Sequence, residues 1–221
     1  MVTAGDTRTF EAVLVRQCAP TLAGLKTGSI FCIKSPIPEM TRQTVSLWDK
    51  QLAPLGLSVQ ILLERPGCGS MMIYVHRRKQ LEQILSNEDC REFLEKMGYS
   101  ASDLDGLLAE LSFRLKTQPE FPHEIGLFLG YPLRDVTGFI ENHGRNFTCC
   151  GFWKSYGDPI EMQAYFASCR RCIHMYSALF AQGISIEKLA VPAEGIVPVR
   201  FGLIGTVFFV QKQRKEGIGT G

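Results

Sequence analysis

Apolar residues recur along this chain at two different periods, and each change of period marks an element. Phe10, Val13, Leu14 and Cys18 fall at i, i+3, i+4 and i+8, which predicts a first helix over about 9–17. Pro20 disfavours helix at the residue before it and so places the end just after Cys18. The run 28–33, GSIFCI, reads as a short buried strand closed by Pro36 and Pro38. Val45, Trp48 and Leu52 then define one stripe of a helix over 39–52, stopped by Pro54 and Gly56.

Residues 57–64 and 70–76 are rich in Val, Ile, Leu, Met and Tyr, with Pro66-Gly67-Cys68-Gly69 between them. That is a β-hairpin pattern in which glycine supplies positive φ. Three helices follow. The first, 77–85, carries Leu81, Ile84 and Leu85 on one side; the second, 88–97, starts behind Ser86 or Asn87 and ends at Gly98. The third, 103–116, lies behind Ser102 and has Leu104, Leu107, Leu108, Leu111 and Leu115 as a continuous stripe.

Next come helices over 122–129 and 132–143, separated by a Gly130-Tyr131 turn and closed by Gly144. Proline at the first helical position and glycine just past the last is the expected asymmetry. Residues 147–156 read as a strand. Residues 159–180 form a long amphipathic helix, with Met162, Tyr165, Phe166, Cys169, Cys172, Ile173, Tyr176 and Phe180 on its apolar stripe. A short helix over 184–190 follows.

Strands and helices are not regularly alternated, so the pattern predicts an α+β fold rather than a doubly wound parallel sheet. The expected architecture is a small, mostly antiparallel sheet covered by about eight helices, the sheet being built from 28–33, the 57–76 hairpin and 147–156. Residues 1–191 are read as one domain. From 192 onward turn residues, one apolar run and a basic cluster predict a poorly ordered C-terminal appendage.

Composition narrows the function. The 221 residues are 45% hydrophobic and 21% charged, enough for a packed core, and the net charge of +2 argues against nucleic acid or a membrane surface as the dominant partner. No basic segment followed by an apolar stretch opens the chain, which predicts a cytoplasmic protein whose eight cysteines are thiols or metal ligands. The apolar run FGLIGTVFFV at 201–210 would reach only about 15 Å as a helix, half a bilayer core, so no membrane span is expected.

CAPTLAG at 18–24, PHEIGLFLGYP at 122–132, GFIENHG at 138–144 and CGFWKSYGD at 150–158 resemble the signatures of a family of uncharacterised bacterial proteins, domain of unknown function 3793. The resemblance covers about 10–189 and leaves the tail after Pro192 outside it. It implies a link to redox or metal physiology, with a flavodoxin-like or other redox protein as partner, and nothing catalytic; the lack of a convincing catalytic set favours a cytoplasmic binding or accessory protein.

Three constellations carry candidate chemistry. Cys18, His123 and Glu124 have the residue types of a thiol hydrolase or transferase, a nucleophile with a carboxylate-oriented imidazole. Against this, Cys18 ends its helix, where the macrodipole disfavours a thiolate, and adjacent helical residues such as His123 and Glu124 point about a hundred degrees apart. The plainer reading is that Cys18 packs on its apolar face and Glu124 complements a helix N-terminus.

Cys149, Cys150, Cys169 and Cys172 suggest four thiolates for zinc, but only the second pair has the usual spacing, and neighbours on a strand face opposite ways. No metal site is assigned to them. The pair of helices over 122–143 has the spacing of a helix-turn-helix and gives a DNA-binding alternative, although the second helix carries two carboxylates against one arginine. Cys68 at the hairpin tip, the basic run His76-Arg77-Arg78-Lys79, and the aromatics Trp48, Phe152 and Trp153 read as turn, solvated helix start and core. The cofactor stays open, because no Walker-type loop, HExxH, GxSxG or EF-hand string is present.

Overall fold

A three-stranded antiparallel sheet divides the hydrophobic core in the computed structural model, which describes residues 4–190. Its strands are β1 (Gly28–Lys34), β2 (Leu57–Arg65) and β3 (Ser70–Arg77), in the order β1-β3-β2. β2 and β3 form the expected hairpin, turning through one 3-10 turn at Pro66–Cys68 and a left-handed Gly69. β1 lies along the other side of β3, with Gly28 opposite His76 and Lys34 opposite Ser70. A register shift between Ile61 and Leu63 lets Leu62 and Leu63 both be buried.

Because both faces of the sheet are covered, its strands read as nearly continuous apolar runs. Phe31, Leu57, Val59, Met71, Ile73 and Val75 belong to the first cluster, and Leu62, Leu63 and Tyr74 to the second. The first cluster is completed by α1 (Ala4–Leu22), α2 (Pro38–Leu52), the C-terminal half of α8 (Pro159–Ala181) and α9 (Ile186–Ala190). The second is completed by α3 (Arg78–Leu85), α4 (Glu88–Lys96), α5 (Leu104–Thr117), α6 (Ile125–Phe128) and α7 (Leu133–Glu141). Nine α-helices are therefore present among the described residues, and none is long and apolar enough to cross a membrane.

Four local expectations are corrected. α1 runs through Pro20 to Leu22 instead of ending at Cys18. A proline in the last turn loses only one hydrogen bond, and the carbonyl of Pro20 accepts from Leu25 N and Lys26 N while Gly24, at φ +77°, donates to Thr21 O. The result is a Schellman stop three residues beyond the proline.

α5 is capped by Asp103, which accepts from Gly106 N, and not by Ser102. α6 is a single turn. Ile125, Gly126 and Leu127 donate to Pro122, His123 and Glu124, an i→i−3 ladder that leaves His123 and Glu124 before the helix.

The strand expected over 147–156 is instead a separate two-stranded sheet, β4 (Cys149–Cys150) and β5 (Lys154–Ser155), unconnected to the main one. Gly151 makes the break. A Cβ there would lie 2.1 Å from the Phe166 ring, so only glycine allows the hairpin to sit so close to α8. The appendage expected after 191 lies outside the described residues.

Candidate functional site

The structure does not assemble the thiol–imidazole–carboxylate set. Cys18 is fully buried in the first cluster, and burial pushes its thiol up to about 12, so it is protonated at neutral pH. Glu124 is buried beside the second cluster, accepting from Tyr99 Oη at 3.2 Å with Arg114 Nη1 at 3.7 Å. The Arg114 guanidinium in turn lies 4.2 Å from the centre of the Tyr99 ring. His123 is exposed, its ring between those of Phe121 and Phe139 at 5.9 and 4.8 Å. Glu124 thus has its own partners and does not orient His123.

The four thiols weighed for zinc divide likewise. Cys149 is buried and Cys150 exposed, while Cys169 lies in the third cluster with Cys149, and Cys172 in the first. Burial raises Cys169 to about 11 and Cys172 to about 12.

In the helix-turn-helix-like pair, all four residues of α6 are buried, and α7 buries Asp135, Val136 and Gly138. Arg134 and Glu141 are exposed on α7, one charge of each sign. That surface offers phosphates no basic face.

Asp135 is the organising residue of the region. Its fully buried carboxylate accepts from Trp153 Nε1 at 2.7 Å, Ser155 Oγ at 3.1 Å and Tyr156 N at 2.8 Å. Those bonds fasten the CGFWKSYGD string to α7. They also bring Trp153 onto Tyr131, ring centres 4.2 Å apart and nearly parallel. Tyr165 of α8 packs against Trp153 and donates to Leu25 O at 3.0 Å.

Lys26 lies against this aromatic group, its Nζ 5.1 Å from the centre of Tyr131. The loop after α1, the turn after α6, the small hairpin and α8 therefore converge here. Burial pushes the Lys26 ammonium down to about 8, against weak support from the Cys169 and Cys18 thiols.

A second feature is a half-open cavity of about 540 Å³ between α3, α4 and α5. Leu85, Leu94, Tyr99, Leu104 and Leu107 give it an apolar floor, and Glu82, Arg91, Glu95 and Asp103 are at its polar rim. That volume is in the range of small-molecule sites. The cavity and the Lys26 centre are built from different elements.

No sequence signal marks Lys26 or the cavity. A lone lysine after a helix stop looks solvated, and a hollow between amphipathic helices leaves no trace in their periodicity. Asp135 had a signal: a carboxylate among apolar positions of a helix, next to Val136 and four residues before Phe139, invites the question of what it bonds.

A family model described as "Protein of unknown function (DUF3793)" matches residues 14–190, and the chain belongs to that family. No curated protein matches. No solved structure matches.

Proposed function

We propose that the chain is a binding or accessory protein that holds a small, largely apolar molecule in the hollow between α3, α4 and α5. The cavity carries this reading: an apolar floor rimmed by a few polar groups orients a ligand without supplying a nucleophile and base. The buried, protonated Cys18 and the separately engaged Glu124 count against the thiol enzyme, and the mixed charge of α7 against the DNA-binding regulator. Eight free thiols support a reducing, cytoplasmic setting. The partner class on this reading is the flavodoxin-like or other redox protein that the family resemblance implies.

Ligand-observed NMR with an apolar fragment library tests it. Ser102 is exposed at the cavity lining, and Ser102→Trp should block the mouth while leaving the fold intact. Fragments broadened by the wild-type chain and released in Ser102→Trp support the cavity. An absence of hits, or equal binding by both chains, defeats it.

A further inference from the structure

The hollow between α3, α4 and α5 has a preformed wall. The chain leaves α4 through Gly98, at φ +85°, and Tyr99 N bonds back to Leu94 O at 2.9 Å. The Glu110 carboxylate then accepts from Ser100 N at 3.0 Å, Ser100 Oγ at 2.8 Å and Ala101 N at 2.8 Å. Tyr99 is held from behind through its hydroxyl, which donates to Glu124. A wall fixed in this way does not have to be ordered when a guest arrives.

Four charged side chains line the hollow, and two of them are already engaged. Glu82 pairs with Arg78 at 3.0 Å, and Asp103 accepts from Gly106 N as the cap of α5. Arg91 and Glu95 are exposed, and among the described residues neither side chain has a partner. They stand at i and i+4 on α4, yet they do not pair with each other. Nor do they serve the helix: arginine before glutamate is the weaker order at this spacing, and a carboxylate in the last turn opposes the macrodipole.

We propose that the hollow takes a zwitterionic guest with an apolar body, an apolar dipeptide, whose carboxylate meets Arg91 and whose ammonium meets Glu95. This guest class rests on the hollow being a ligand site. Positions i and i+4 put the two charges on one row, with Cβ atoms about 5–6 Å apart. Two extended residues span at most about 7 Å, which suits that separation; one amino acid is short for it and three residues are long. The two apolar side chains of the guest lie on the leucine floor, within a volume of about 540 Å³. Burial on that floor supplies most of the affinity. The two charges supply selectivity, because an exposed ion pair contributes little alone.

Protein-observed NMR titrations of the full chain, at pH 7 and low salt, compare leucyl-leucine with its N-acetyl form, its C-terminal amide and the doubly blocked peptide. Leucyl-leucine is expected to bind tightest, and each block to raise Kd at least about threefold, the scale of one exposed ion pair. Arg91→Gln should abolish the discrimination against the amide, and Glu95→Gln that against the acetyl form. Both residues are exposed, so neither change disturbs the core. Equal binding of all four peptides leaves the apolar hollow standing and overturns the zwitterionic guest. Binding of none of them overturns it too, and the fragment screen with Ser102→Trp then decides the hollow separately. Discrimination that persists unchanged in both variants also overturns it, since the charges would then be read elsewhere.

Discussion

The indole N–H of Trp153 donates to the carboxylate of Asp135 at 2.7 Å, and this bond joins the small β4–β5 hairpin to α7. Two further donors, Ser155 Oγ and Tyr156 N, converge on the same carboxylate. Removing a buried acceptor strands its donors at about 1–3 kcal/mol each. Asp135→Ala is therefore expected to cost at least about 3 kcal/mol, and Trp153→Phe, which removes one donor, clearly less. Denaturant titrations of the three chains check the order; equal losses would show that the carboxylate is not the hub.

His76 gives the fold a specific acid sensitivity. Its ring is buried, stacked 4.6 Å from Tyr74, and neither nitrogen has a partner. Burial, then Arg78, lowers its pKa to about 4, while Asp49 and Asp105 oppose the shift. Between about 6.5 and about 4 the unfolded chain binds a proton that the folded chain refuses. Its contribution is thus complete above pH 6.5 and is lost as pH falls towards 4, on the order of 3 kcal/mol in all. His76→Phe should flatten the stability–pH curve across that window. The lowered carboxylates Asp105 and Glu110 add their own losses at lower pH, so an unchanged slope above pH 4.5 would exclude His76 as its source.

Native alkylation should sort the cysteines by burial. Cys32, Cys68 and Cys150 are exposed, while Cys18, Cys90, Cys149, Cys169 and Cys172 are buried. Iodoacetamide at pH 8 is expected to give three fast adducts, with the other five thiols at least about a hundredfold slower until the chain is unfolded. Mass spectrometry of digests reads this directly. Selective labelling of Cys18 would revive the thiol enzyme.

Arg77 is buried on β3 and donates to Thr21 O at 2.9 Å, Leu22 O at 2.6 Å and Ala190 O at 3.1 Å. A lysine keeps the charge but loses the planar fork that reaches several carbonyls. Arg77→Lys should therefore lose about 2–4 kcal/mol in chemical denaturation. A variant as stable as the parent would mean that the terminal carbonyls find water instead.

Helix faces were legible where local period decides them. All five leucines of the α5 stripe are buried, and so are Met162, Tyr165, Phe166, Cys169, Cys172 and Tyr176 along α8. The hairpin was legible because its glycines left the chain few ways to turn. The break in 147–156 was not, since it depends on the Phe166 ring lying over Gly151. The end of α1 misled for a related reason: a proline rule about one residue was overridden by hydrogen bonds made four to six positions further on. Arg77 was invisible as a buried cation because the carbonyls it bonds lie on chain segments more than fifty residues away. Candidate chemistry read from residue types alone therefore pointed to Cys18 and Glu124, whose environments are set by neighbours that the types do not reveal.

The guanidinium of Arg77 clasps the last carbonyls of α1 and the last of α9 at once. Neither helix can fray by itself without uncovering a charge that the other still holds. Opening at these two ends of the fold is consequently concerted, and a shortened chain that stops before Ala190 would loosen α1 as well, at the far end of the sequence.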